Sequence, residues 1–291
     1  MKPTLQLTDE QAARFREKGW IRMDAITTAG EVGRLRVIFD RLFTERAGWK
    51  QGKSFDMVGA EDEGKPALLP QILNPVEFAP ELADTYFRAN ALAIARRLLG
   101  EGAVHWFEHA IFKPAHIGAP TPWHQDEAHR CDPGVDYEQV SIWMPLQPAT
   151  VENGCMSYIS GSHLGPVLEH RSLGGDSKKA ALECIHDFDR SAAEPCLLPP
   201  GGAAIHHCRT LHCAGANTTG EPRRAYVLAF RGPARAAPER EMFPWLEGKR
   251  TAATERAEAF ENRGGVFGKA ARSVASFARR AGDRVRRAIR G

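Results

Sequence analysis

His124 and Asp126 stand two residues apart in the run TPWHQD, and the alternation of a strand would point both side chains to one face. An imidazole and a carboxylate so placed make two thirds of a common metal-binding set. A third ligand is on offer far along the chain, in GGAAIHHCRTLHCAGAN, from His206, His207 or His212. Two His and one carboxylate on one side of a metal leave positions open for a co-substrate and dioxygen, the pattern of Fe(II) oxygenases. An isolated His-x-Asp is a weak signal, so the rest of the chain must supply its context.

The elements that would position these residues can be read in outline. Thr8 with Gln11 three residues on is a capping box that opens a helix over 8–18, and Gly19 ends it. Residues 20–23 suggest a short strand, 29–47 a second helix and 79–99 a third that stops at Gly100, while 48–78, rich in Gly, Pro and charge, suggests a long loop of the kind that often forms a lid. From residue 103 the period changes. Eight short β-like runs, 103–112, 120–125, 138–147, 155–160, 194–198, 202–207, 211–214 and 223–231, are separated by turn formers and predict a sandwich or jelly roll.

Composition limits the function classes. The 291 residues are 43% hydrophobic and 26% charged, an ordinary globular balance. The net charge of +3 conceals an asymmetry: residues 263–291 carry nine Arg or Lys against one Asp, a net +8, which leaves 30 basic and 35 acidic residues, a net −5, over 1–262. A nucleic-acid-binding body would need clustered cations inside the folded domain, so none is expected. No apolar run is long enough to span a membrane and the start MKPTLQLTDE lacks the apolar core of a signal peptide, so the expected location is the cytoplasm. Six cysteines without a CxxC pair read as reduced thiols. Residues 266–289 place apolar side chains at helical spacing with arginines opposite; such a helix packs on the acidic body, stays disordered, docks an acidic protein or lies on an anionic membrane surface.

At this point the chain resembles the phytanoyl-CoA dioxygenase family of Fe(II)- and 2-oxoglutarate-dependent oxygenases. The matching pieces occur in the family's order from about residue 5 to 231: LTDEQAARFREKGW, Lys113-Pro114, WHQD at 123–126, IWMPL at 142–146, ENGCMSYISGSH at 152–163, PPGGAAIHH at 199–207 and HCAGANTTGEPRRAY at 212–226. The resemblance implies a mainly β fold, a double-stranded β-helix (jelly roll, cupin-like) with flanking N-terminal helices and a C-terminal helical tail. The expected oxygenase domain covers 1–250, with helices in 1–100 and the jelly-roll core in 101–232, and 251–291 forms the basic tail. It implies His124, Asp126 and His212 as iron ligands, Arg223 on the distal carboxylate of 2-oxoglutarate, and Trp143, His109 and Lys113 along the co-substrate.

One departure is notable. Where family members often carry a hydroxyl residue two after the distal histidine, this chain has Ala214. Asp126 is retained, whereas halogenating relatives put a small residue there. The expected activity is therefore hydroxylation of a small or medium organic molecule, a natural-product intermediate or amino-acid-like compound, with 2-oxoglutarate and O2 converted to succinate and CO2. Trp106, Glu127, His129 and the 48–78 segment are candidates to face that substrate, and His206 and His207 read mainly as core histidines or as supports of the ligands. Alternatives are a desaturase, epoxidase or cyclising oxidase on the same iron, a jelly-roll metal-binding module without activity, or a zinc hydrolase. The acidic body argues against an acyl-CoA substrate.

Overall fold

The computed structural model describes residues 1–59, 61 and 65–262; the amphipathic pattern expected at 266–289 lies outside them. The first helix, α1 (Asp9–Lys18), starts at Thr8 with both halves of the capping box formed and stops at Gly19, whose φ of 78° places it in the left-handed region. Then come β1 (Trp20–Met23), α2 (Ala29–Thr44), β2 (Ser54–Asp56), β3 (Pro70–Leu73) and α3 (Tyr86–Leu99). The β-rich part runs β4 (Val104–Lys113), β5 (Thr121–His124), β6 (Val135–Asp136), β7 (Gln139–Pro145), β8 (Met156–Ile159), β9 (His170–Ser172), β10 (Leu182–Cys184), β11 (Ala193–Cys196), β12 (Ala203–His207), β13 (His212–Ala214), β14 (Arg223–Arg231) and β15 (Arg235–Ala236), before α4 (Ala252–Asn262). The eight expected runs are present as β4, β5, β7, β8 and β11 to β14.

Two expectations are corrected. Part of the supposed loop 48–78 is sheet: β3 pairs with β4 and β2 with β3, and Ile72 is fully buried, a run too short for its period to be seen in the sequence. The third helix begins at residue 86, not 79, because Pro75 and Pro80 open short 3-10 turns and Thr85 supplies the cap. The buried Glu31 carboxylate of α2 accepts the backbone N–H groups of Tyr86 and Phe87, each at 2.8 Å, which holds the start of α3 against α2.

The strands form a seven-stranded antiparallel sheet, β1-β12-β7-β14-β4-β3-β2, and a four-stranded sheet, β11-β8-β13-β5. Alternation sorts the large sheet's side chains. Ile142, Met144, Ile205, Tyr226, Leu228 and Phe230 share one core with Phe39 of α2 and Phe87 of α3. Trp20, Trp143, Ala204, Ala225 and Val227 point the other way and share a second core with Met156, Tyr158 and Ala214 of the small sheet. The two sheets thus face each other, and Trp20 stacks on Tyr158 at 4.7 Å between ring centroids. At the far end Arg256 of α4 lies over the Trp49 ring at 3.6 Å and donates to the carbonyls of Trp49 and Ser54, which docks α4 on the body beyond the boundary expected at residue 250. Among the described residues no helix is long and apolar enough to cross a membrane.

Candidate active site

The site lies between the two sheets. On the small sheet, β13 pairs antiparallel with β5 so that His212 sits opposite His124, with ring centroids 4.2 Å apart. Each ring is oriented in the same way: its Nδ1 donates at 2.8 Å to a carbonyl two residues earlier, Pro122 for His124 and Thr210 for His212. That bond commits the proton to Nδ1 and leaves a lone pair on Nε2. The two Nε2 atoms face Asp126 Oδ1 at 3.6 and 3.4 Å, and the ligand atoms of all three residues lie within 4.8 Å of one another.

Without a donated proton, two lone pairs and an anionic oxygen converging on one buried point repel each other, and a cation is what such a donor set fits. Electrostatics agree. Burial, helped by the neighbouring His212, pushes His124 down to about 4, so the imidazole is neutral and free to ligate at neutral pH. Burial opposes the charge on Asp126, but His212 and His206 outweigh it and hold the carboxyl well below its usual range.

The three candidate histidines of the distal segment are separated by the fold. His207 faces away and pairs with Glu138. His206 faces inward, but its Nε2 lies 3.2 Å from the other oxygen of Asp126, Oδ2, and its Nδ1 lies 3.1 Å from the Tyr158 hydroxyl. Only His212 joins His124 and Asp126 in the converging set.

On the large sheet, Arg223 of β14 and Lys113 of β4 are directly opposed and both are buried. The guanidinium of Arg223 lies 5.3 Å from the Trp143 ring, and its Nε and Nη1 have no hydrogen-bond partner. Trp143 links Arg223 to the metal-binding set, because Ser141, two residues back on the same face of β7, donates to Asp126 Oδ2 at 2.6 Å. An orphaned buried cation in line with a candidate metal set fits a bound dicarboxylate. Lys113 behaves differently from expectation: its ammonium donates to the carbonyls of Ala119, Ala214 and Gly215, so all three of its protons serve the chain itself. His109, half-buried, contacts the Gln71 amide oxygen at 3.1 Å and is held neutral by burial, which pushes it to about 4 against the pull of Asp126.

Of the residues expected to face substrate, His129 lies beside the set, its ring centroid 6.1 Å from that of His124. Glu127 is instead buried in ion pairs with Arg130, Arg209 and Arg240. Trp106 lies under Arg231 at 4.4 Å and against Tyr137. All six cysteines are free, and none is in the converging set. Asn217 of the HCAGAN run is structural: its Nδ2 reaches the carbonyls of Lys113, Pro114 and Glu221. Gly154 of the ENG run has φ 82° and sits so near Gly215 that a Cβ would come within 2.2 Å of its carbonyl oxygen. Ser141 and Tyr158 were not foreseen; an inward-facing Ser two residues from Trp143 was the available signal for the first.

This fold and this donor set are those of a 2-oxoglutarate-dependent oxygenase, and comparison with known proteins agrees. The sequence pattern of the phytanoyl-CoA dioxygenase (PhyH) family matches residues 15–225, and the chain belongs to that family. It is 25% identical over 224 residues to a Stutzerimonas stutzeri protein named "Probable alpha-ketoglutarate-dependent hypophosphite dioxygenase", covering 76% of this chain and 77% of that one. It is 28% identical over 194 residues to the L-proline trans-4-hydroxylase of Streptomyces griseoviridis, covering 58% of this chain and 69% of the hydroxylase. Among solved structures, EvdO2 of Micromonospora carbonacea var. aurantiaca in complex with 2-oxoglutarate superposes with a TM-score of 0.70 at 36% identity, over 85% of this chain and all of that one (100%).

Proposed function

We propose that the protein hydroxylates a small or medium organic molecule, a natural-product intermediate or amino-acid-like compound, on a double-stranded β-helix scaffold. In this reading His124 Nε2, Asp126 Oδ1 and His212 Nε2 hold Fe(II). When bound, the iron with 2-oxoglutarate and O2 supplies the oxidising power, and succinate and CO2 are released.

The observation that carries the reading is Arg223, a buried guanidinium with two unsatisfied donors in line with the triad. Its guanidinium takes the distal carboxylate of 2-oxoglutarate, and a planar fork suits that task better than a point charge. Trp143 walls the space between clamp and metal, and Ala225 and Val227 on the same face keep it dry, which strengthens every charge interaction inside. The imidazoles of His124 and His212 are held by their Nδ1 bonds and need no reorganisation to ligate. His109, with Gln71 behind it, lines the same inner face. A carboxylate in the ligand set occupies the place a halide would need, which supports oxygen transfer over halogenation.

The test is an anaerobic titration with Fe(II) and 2-oxoglutarate, following the visible charge-transfer band of the chelate. The parent protein is expected to develop the band, His212→Ala to lose it, and Arg223→Ala to need far more 2-oxoglutarate. Absence of any band with the parent overturns the reading. Succinate release then screens substrates, and label from 18O2 in the product separates hydroxylation from desaturation or ring closure.

A further inference from the structure

Asp126 uses its two oxygens for different purposes. Oδ1 faces the Nε2 atoms of His124 and His212, while Oδ2 receives the Ser141 hydroxyl at 2.6 Å and lies 3.2 Å from His206 Nε2. Behind His206 stands Tyr158, fully buried, with its hydroxyl 3.1 Å from His206 Nδ1. The directions of these bonds are mutually consistent. An anionic carboxylate only accepts, so His206 Nε2 carries the proton; Nδ1 then offers a lone pair, which takes the Tyr158 O–H. The chain Tyr158 to His206 to Asp126 therefore runs one way, with both ring nitrogens of His206 used.

The parts come from three strands. His206 of β12 and Ser141 of β7 are opposed in the large sheet, and Tyr158 reaches over from β8 of the small sheet, its ring fixed by stacking on Trp20. His206 is 2% exposed, so water does not compete for its bonds.

From this geometry, and resting on the triad as the metal site, we propose that His206 is a positioning residue that, with Ser141 and backed by Tyr158, restricts Asp126 to one-oxygen ligation. With Oδ2 tied back by two donors, the carboxylate cannot turn to chelate with both oxygens. The coordination position that a second oxygen would take stays open for the keto-acid or dioxygen. Removing the tether frees the carboxylate to rotate, which weakens the set and alters its coordination number.

The experiment uses Co(II) alone as the probe, on the full chain, reading both affinity and the intensity of the visible d–d bands, which falls as coordination number rises. The parent's affinity and band intensity are the reference for the variants. His206→Leu is expected to bind Co(II) about 10- to 100-fold more weakly, with weaker bands. His206→Gln, whose amide N–H can stand where Nε2–H stood, restores affinity to within about threefold of the parent, a rescue that a space-filling role would not produce. Ser141→Ala and Tyr158→Phe shift affinity in the same direction by less, and they serve as the test should His206→Leu fail to fold. In an Asp126→Ala background, adding His206→Leu changes Co(II) affinity no further. Leu and Gln variants that bind alike, or a His206 effect that persists without Asp126, overturns the proposal while leaving the metal site standing. A parent that binds no Co(II) overturns the site itself.

Discussion

Arg223 and Lys113 are opposed on neighbouring strands, both buried, and burial pushes both down from their usual ranges, Arg223 to about 9. Their surroundings differ completely. The ammonium of Lys113 is caged by three carbonyls at the turn after β4 and the end of β13, whereas Nε and Nη1 of Arg223 meet nothing. A buried cation that is fully hydrogen-bonded belongs to the architecture; one left short of acceptors carries a standing cost that a ligand can remove. Neighbouring residues of like charge and like burial thus divide into a structural post and a binding group, and only the count of their acceptors tells them apart.

The largest effect that would break this comparison is on ligand affinity. Arg223→Leu is expected to weaken 2-oxoglutarate binding by about 2–5 kcal/mol, as for removal of one partner of a buried charge pair. The metal-free fold should be as stable as the parent or more so, because an unsatisfied charge has been taken out. Calorimetric titration beside urea unfolding reads both; a loss of fold stability with unchanged 2-oxoglutarate affinity would reverse the roles assigned to the two cations.

Lys113→Met tests the other half. Orphaning the carbonyls of Ala119, Ala214 and Gly215 should lower fold stability by about 2–4 kcal/mol, seen in urea unfolding. Any effect on 2-oxoglutarate affinity should follow that loss of fold and be smaller than that of Arg223→Leu.

The imidazoles sharpen the contrast, since burial holds them neutral where it leaves Arg223 charged. His109 and His170 are pushed to about 4 and His129 to about 3, with burial the main cause in each. Their ordinary value is 6.5, so between there and about 4 the unfolded chain binds more protons than the folded one. Stability of the metal-free protein is therefore present above about pH 6.5 and lost as pH falls towards 4. Chemical denaturation midpoints across that range measure it, and His170→Gln should flatten the slope.

The smallest expected effect concerns the missing hydroxyl. Ala214 is buried in the core that contains Trp143 and Ala225, two residues beyond His212 on the same face of β13. Ala214→Ser should tighten 2-oxoglutarate binding by about 0.5–1.5 kcal/mol, the worth of one added hydrogen bond. Equal affinities would place the distal carboxylate out of reach of β13.

Much of this was legible beforehand. The capping box of α1 and the eight strands follow from local patterns of period two and 3.6, which depend on neighbouring residues alone, whereas Asp126 stands not on β5, which ends at His124, but at the start of the 3-10 turn that follows. The third ligand was not legible from spacing. His206, His207 and His212 are equivalent in type, and the resemblance to relatives favoured His212. In the structure His207 is turned away by strand alternation, and His206 is taken up by Asp126 Oδ2 and Tyr158. The sheet within 48–78 was missed because a four-residue strand shows no period, and the start of α3 because proline turns imitate the helical pattern.

By itself, then, the sequence determined which residues could ligate and the family to which they belong, since these depend on residue type and on order along the chain. Tertiary structure decided how many partners each buried polar group finds. It made Lys113 a post and Arg223 a clamp, and it bound Ser141, His206 and Tyr158 to one carboxylate. The reason is physical: a hydrogen bond is won or lost over a few tenths of an ångström, between groups that only the packing of two sheets brings together.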